Sequence, residues 1–322
     1  MSETLIVWLS PVLVKLTVLL TALSLDLLLG EPPSKLHPTV WVGRYVMFLE
    51  RRVRGRLGGV LLVTSSLALF TSTFYLALRL LSTALPTFIY LFLVAALLKT
   101  TFAIKSMEQH VEPIVESMAN GDLEAARLFV SRIVSRDTRR LSRSQLISAS
   151  VESIGENTVD GVTSPLLYFA LLGFLGALAY RVINTLDSMV GYRHPPFTHL
   201  GWAAAKLDSL ANYVPARVTG CLMVCAAWLA GMDWRRALRV LRRDRGRTDS
   251  LNSGWPLSAM AGALRVQLEK PGFYTLGDGL EELSISHVRA ALRLMKLTVA
   301  LFIALAVVPL TALGSALGLT LL

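Results

Sequence analysis

The chain has 322 residues, 53% of them hydrophobic and only 17% charged, against about 25% charged in ordinary soluble domains. The apolar residues are bunched into uninterrupted blocks rather than spread at amphipathic spacing, which excludes a disordered chain and argues against a soluble enzyme. The formal charge is +10, but the basic residues sit beside the apolar blocks, a placement that points to orientation in a bilayer and not to nucleic acid.

A helix needs about 20 mainly apolar residues to cross a hydrocarbon core. Five or six blocks reach that length, which predicts an all-α, polytopic integral membrane protein. The first runs from about Leu5 to Gly30, interrupted by Lys15 and Asp26. Ala22-Leu23-Ser24 faintly resembles a signal-peptide cleavage site, but only Glu3 carries charge ahead of the run and the run is too long, so it is expected to be a span. Leu57 to Leu81 and Leu85 to Ile104 part at Pro86 and read as a tight membrane hairpin. Asp122 to Arg136 has an Asp cap and one apolar helical face, and reads as an amphipathic helix. Ser164 to Ile183, Val214 to Gly231 and Leu294 to Leu322 complete the blocks. Cys221 and Cys225 lie inside the fifth, so neither a disulfide framework nor a cysteine zinc site is available.

Lys and Arg between blocks number six in 31–56, seven in 105–145, two in 184–212 and eleven in 232–293. The positive-inside rule makes the three basic segments cytoplasmic in the cell membrane, with the N-terminus and 184–212 starting on the other side. The expected organisation is a single membrane domain, 1–322, with cytoplasmic helical loops at 105–163 and 232–293.

Polar residues are most informative where polarity is expensive. In SVESIGENTVDGVTSP (150–165), Glu152, Glu156 and Asp160 step by four residues and fall within about 80° of one helical face. Three like charges on one stripe suit a divalent cation, an ammonium group or arginine partners; a solvated helix end is the bland alternative. Intramembrane carboxylates favour a site. Asn184, Asp187 and Gly191 share a second face, ahead of Arg193. Asp208 and Asn212 lie one turn apart, with Arg217 beyond Pro215. Oxygen ligands with nearby Arg or Lys suit magnesium and phosphate, and an ion-paired clasp explains them equally well. His37-Pro38 follows a Pro-rich stop, and Gly43-Arg44 reads as the opening of another helix. The small residues from Asn252 to Ala263, around Trp255, permit close approach of a large flat ligand or of another helix. No P-loop, histidine metal motif or serine-nucleophile elbow is present in the sequence.

Taken together, Leu25-Asp26 through Gly30-Glu31-Pro32-Pro33, His37-Pro38, Gly43-Arg44, GDLEAAR, SRDT, VESIGENTVDGVTSPLLYF, YRVINTLDSMVGYR, GWAAAKLDSLANYVPARVTG, NSGWPLSAMAGAL and PGFYTLGDG resemble the CobD/CbiB family of cobalamin biosynthesis over about residues 25–280. Glu31 stands where the family often has Asp, and Gly155 where Ala is common.

The resemblance implies adenosylcobinamide-phosphate synthase activity. This is ATP-dependent amide-bond formation between adenosylcobyric acid and (R)-1-aminopropan-2-ol phosphate, with Mg2+. Within that reading Asp160 and Asp187 are expected to hold the metal, Glu152 and Glu156 to bind or deprotonate the ammonium nucleophile, and Arg193 and Arg217 to clamp phosphate. Asn157, Asn184, Asp208, Asn212, His37 and Arg44 complete the expected substrate contacts, with Asn252 and Trp255 against the corrin. Expected partners are the corrinoid, aminopropanol phosphate, the lipid bilayer, and a homo-oligomer or other membrane proteins of the pathway. Loop parity puts 184–212 outside while ATP is cytoplasmic, which a re-entrant fold of that segment would reconcile. The competing readings are a transporter, against which the two halves do not resemble each other, a lipid-alcohol phosphotransferase, whose D-G-x-x-A-R pattern is missing, and a non-catalytic membrane regulator.

Overall fold

The computed structural model describes residues 2–192 and 195–316. In chain order the helices are α1 (Ser2–Leu29), α2 (Pro38–Glu50), α3 (Gly55–Ala84), α4 (Thr87–Lys99), α5 (Ile104–Ala119), α6 (Leu123–Val130), α7 (Arg143–Thr158), α8 (Ser164–Val190), α9 (Phe197–Leu200), α10 (Trp202–Ala211), α11 (Tyr213–Leu229), α12 (Trp234–Asp244), α13 (Gly254–Leu264), α14 (Ile285–Phe302) and α15 (Val308–Ala316). Single π-helical turns join α7 to α8 at Val159–Thr163 and α14 to α15 at Ile303–Val307. Strands β1 (Gln267–Lys270) and β2 (Tyr274–Gly277) form an antiparallel hairpin with Gln267 opposite Gly277.

Among the described residues five helical stretches are long and apolar enough to cross a membrane, and a sixth is added if α10 and α11, broken at Asn212, count as one. These overlap the apolar blocks, because in lipid only a helix satisfies every backbone polar group within its own segment; Thr87–Ala119 and Arg143–Val190 run well beyond them.

The described chain groups into two compact units, each discontinuous in sequence. The first holds α1 to α4, α8 to α10 and α15. Here α1 packs on α4, and α3 on α8 and α10. An aromatic ladder runs from Trp41 to Phe74, centroids 6.2 Å apart, and on to Phe174 at 5.8 Å. Leu13, Leu20, Leu76 and Leu80 are exposed, as lipid-facing positions of a span require. Gly30, at φ 72°, ends α1 ahead of Pro32-Pro33. The next helix opens at Pro38, not at Gly43-Arg44 as the sequence suggested. His37 caps it by accepting the Thr39 N–H, and proline suits the first helical position. At the far end of α8, no side chain fits at Gly201, where a Cβ would collide with the Val190 carbonyl, or at Gly191, where it would collide with the Asp187 carboxylate.

The second unit holds α5 to α7, α11 to α14 and the hairpin. Ser142 and Gln145 form a reciprocal capping box that starts α7. The helix expected over Asp122 to Arg136 is shorter. Asp122 caps it as predicted, but it stops at Val130 because the segment beyond folds back, with the Thr138 hydroxyl donating to the Arg127 carbonyl (2.9 Å) and the Arg127 guanidinium donating to the Leu141 carbonyl (3.0 Å).

Candidate functional site

In the first unit the acid–amide residues of α8 and α10 converge. Asn184 donates through Nδ2 to Asp208 Oδ1 (3.2 Å) and accepts at Oδ1 from Arg181 Nη1 (3.2 Å). Asp208 lies within electrostatic reach of Asp187. Among the described residues nothing donates a hydrogen bond to the half-buried Asp187 carboxylate. Next to α10, the Tyr168 hydroxyl donates to the Ala211 carbonyl (3.0 Å) and its ring stacks on Tyr180. Two carboxylates and an amide thus share a largely apolar setting, and one of the carboxylates keeps its lone pairs open.

The same unit carries an ionic chain at the start of α2. Lys99 Nζ lies 3.5 Å from Asp26 and 2.7 Å from Glu31, and His37 Nε2 lies 3.0 Å from Glu31. Because His37 Nδ1 accepts the Thr39 N–H, the ring proton belongs on Nε2, which donates to Glu31. Burial pushes the Glu31 carboxyl up, but hydrogen bonds from His37 and Lys99 and the charge of Lys99 outweigh it and hold it below its ordinary value. Arg44 is exposed on α2.

In the second unit Glu152 is nearly saturated. Its buried carboxylate accepts from Arg136 Nη2 (2.9 Å), Ser148 Oγ (2.8 Å) and the Tyr274 hydroxyl (2.7 Å). Ser148 in turn accepts the Glu269 N–H (2.9 Å), so the cluster ties the hairpin to α7. Burial, then the negative charge of Glu152 and Glu156, pushes the Tyr274 phenol up and keeps it protonated as the donor. Glu156, one turn on, is exposed, with Lys270 and Arg136 within electrostatic reach. Asn157 Nδ2 donates to the Ser153 carbonyl (2.9 Å). Asp160 does not continue the stripe as another α-helical turn, since it is half-buried inside the π-helical turn, where the wider spacing rotates it away from strict fourfold stepping.

The same unit builds a cationic aromatic step. Arg217 donates to the Tyr213 carbonyl (2.6 Å) and to Asn252 Oδ1 (3.2 Å). Its guanidinium lies 3.3 Å from the Tyr213 ring centroid and 5.1 Å from that of Trp255, and Arg245 lies 4.7 Å from the latter. Asn252 and Asn212 are buried. The small-residue run itself forms α13, buried from Pro256 to Leu264, so its small side chains serve helix packing and only half-buried Trp255 is left at the rim.

The family described as CobD/Cbib protein matches residues 19–295. The chain belongs to this family. It is 44% identical over 290 residues to a probable cobalamin biosynthesis protein CobD of Methanothermobacter thermautotrophicus, covering 89% of this chain and 95% of the relative. It is 41% identical over 310 residues to the cobalamin biosynthesis protein CobD of Geobacter metallireducens (92% and 97%). A probable cobalamin biosynthesis protein CobD of Thermococcus kodakarensis is 40% identical over 282 residues (87% and 90%). No solved structure matches the chain.

Glu31 and Gly155 both have a structural reading. Glu31 reaches Lys99 and His37 together. Gly155 faces Leu257, whose Cδ2 would lie 2.8 Å from an added Cβ, a contact with the far end of a flexible side chain. Of the residues singled out in the sequence, Asn184, Asp187 and Asp208 come together, as do Arg217, Asn252 and Trp255; Glu152 and Glu156 share α7, and Arg193 lies outside the described residues. Sequence reading missed Arg136, Ser148, Tyr274, Arg181 and Arg245. Lys99 carried a usable signal, since a lone cation closing one apolar block and a lone acid, Asp26, inside another invite pairing.

Among the described residues no three His, Cys, Asp or Glu side chains converge as a metal cage. Magnesium rarely asks for one; it is held by one or two carboxylates together with waters and substrate phosphates. The open Asp187 carboxylate beside Asp208 fits that requirement.

Proposed function

We propose that this member of a cobalamin biosynthesis family is the adenosylcobinamide-phosphate synthase, a multi-pass enzyme of the cell membrane that joins adenosylcobyric acid to (R)-1-aminopropan-2-ol phosphate at the expense of ATP. The observation that carries the reading, beyond family membership, is the Asp187 carboxylate, which lies among apolar helices beside a second acid and without a donor of its own among the described residues.

A free carboxylate is a poor electrophile, and an alkyl amine is mostly protonated near neutral pH, so amide formation requires activation of one and deprotonation of the other. Transfer of the ATP γ-phosphoryl group to the corrin propionate breaks the β–γ phosphoanhydride, releases ADP and gives an acyl phosphate. Attack by the amine then forms the C–N bond and expels phosphate, and the amine's proton passes to a base. Asp187 and Asp208 are the carboxylates that would hold Mg2+; the ion would neutralise the transferring phosphoryl group. Exposed Glu156 is the proton acceptor for the ammonium nucleophile, while Glu152, already occupied by three donors, orients the wall from which Glu156 projects. Arg217 presents a guanidinium for phosphate oxygens at the Trp255 rim, where the corrin would rest on the indole. The ATP-facing loops are cytoplasmic on this reading, in keeping with their basic charge.

Protein purified in detergent and supplied with adenosylcobyric acid, aminopropanol phosphate, ATP and magnesium should yield adenosylcobinamide phosphate by mass spectrometry, with no product when magnesium is chelated. Corrinoid unchanged under every condition overturns the assignment.

A further inference from the structure

The eleven residues of α12 carry five arginines, and the structure divides them into two sets. Arg236 is held by Asp233 (3.4 Å) and Asp278 (2.7 Å), while Arg243 is held by Asp244 (2.7 Å) and also by Asp278. Among the described residues Arg235, Arg239 and Arg242 have no carboxylate within 4.0 Å. Positions 235, 239 and 242 form one stripe of the helix. The opposite face, Ala237, Val240, Leu241 and Asp244, is buried. With Leu238 and Arg243, the stripe lines an open groove of about 470 Å³. Three guanidiniums held in register without counter-charge repel one another, and an anion laid along them relieves that repulsion.

The position in the chain says which anion. α12 starts five residues after α11 ends at Leu229, and α11 is half of a stretch that passes as a membrane span. Trp228 and Leu229, at that end, are 62% and 55% exposed, and Trp234 opens α12 with its ring partly exposed and Arg235 stacked beside it at 5.4 Å. Exposed tryptophans at a span end followed at once by a basic helix are the arrangement that meets a headgroup layer. We propose that the Arg235, Arg239 and Arg242 stripe is a docking surface for anionic phospholipid headgroups of the bilayer the chain itself crosses. It draws on no feature of the amide-forming chemistry.

The test uses the full chain in neutral detergent, with an environment-sensitive fluorophore on Leu238→Cys in a Cys221→Ser/Cys225→Ser background, titrated with short-chain phosphatidylglycerol. A saturable signal is expected, absent with short-chain phosphatidylcholine and absent with sodium phosphate at matched ionic strength. Arg239→Gln should weaken apparent affinity about fivefold and the triple Arg235→Gln/Arg239→Gln/Arg242→Gln about a hundredfold, from the roughly fivefold that each basic residue adds at an anionic surface; the triple Lys variant should keep most of it. An equal response to inorganic phosphate would make the groove a free-anion site and overturn the proposal. So would a response unchanged in Arg239→Gln, a variant whose exposed side chain has no bearing on folding, or no response to phosphatidylglycerol at all.

Discussion

Glu152 and Asp187 are both acids placed where water is scarce, yet the chain treats them in opposite ways. Glu152 accepts from Arg136, Ser148 and Tyr274, which use up its bonding capacity and lock a hairpin onto α7. Asp187 sits beside another acid, close against Gly191, and receives no hydrogen bond from any described group. A carboxylate whose lone pairs are filled contributes to stability; one left open costs stability unless something else arrives to fill it. The difference separates a clasp from a site more sharply than spacing in the sequence does.

Substitution at the two acids is the most direct way to break that contrast. Asp187→Asn should lower turnover by about a hundredfold or more, the scale of losing a metal-site contact, with little change in the thermal midpoint in detergent. Glu152→Gln should do the reverse, costing about 3 kcal/mol because Arg136 loses its partner, while the protein that stays folded keeps turnover within about tenfold. If Glu152→Gln were stable and inactive, and Asp187→Asn unstable and active, the roles would be exchanged.

A smaller effect sharpens the clasp side. Buried Asp244 accepts from Arg243 and from the Gly277 N–H (2.9 Å), with Arg247 at 3.1 Å. Burial pushes its carboxyl up, but these hydrogen bonds and charges outweigh it and hold it below the ordinary value. A depressed folded value means that the contribution is present above the unfolded aspartate range, about pH 4, and is lost as pH falls through the folded value. Asp244→Asn should therefore lose about 2 kcal/mol at neutral pH and show a flatter acid limb than the wild type in thermal scans across pH. The smallest effect belongs to Gly155→Ala. The helix-propensity gain of about 1 kcal/mol offsets the displacement of Leu257, so stability should stay within about 1 kcal/mol of the wild type.

The spans were legible because membrane crossing is set by length and apolarity alone, and each of the six blocks contains or becomes helix. The acid–amide convergence of Asn184, Asp187 and Asp208 was half legible, since helical period places Asn184 and Asp187 on one face but nothing local brings α10 to them. The π-helical turn at Val159–Thr163 is not legible, because no side chain marks a shift from α to π spacing, and fourfold stepping from Glu152 and Glu156 to Asp160 presumes an unbroken α-helix there. Two of the three partners of Glu152, Arg136 and Tyr274, come from 16 and 122 residues away, distances over which a single sequence carries no pairing signal. The hairpin was half legible: Pro271-Gly272 is a turn signal and Phe273-Tyr274-Thr275 are strand formers, but Gln267-Leu268-Glu269-Lys270 on the other side carries no strand preference.

Gly201 and Gly191 give the region around Asp187 a constraint of an unusual kind. Hydrogen bonds and ion pairs can be exchanged for others of similar strength, but a clearance that only a hydrogen atom fits has no substitute among the other nineteen residues. The Asp187 carboxylate thus occupies the place that a side chain at Gly191 would take, and a methyl introduced there would press on both the carboxylate and the Asp187 carbonyl that accepts the Gly191 N–H.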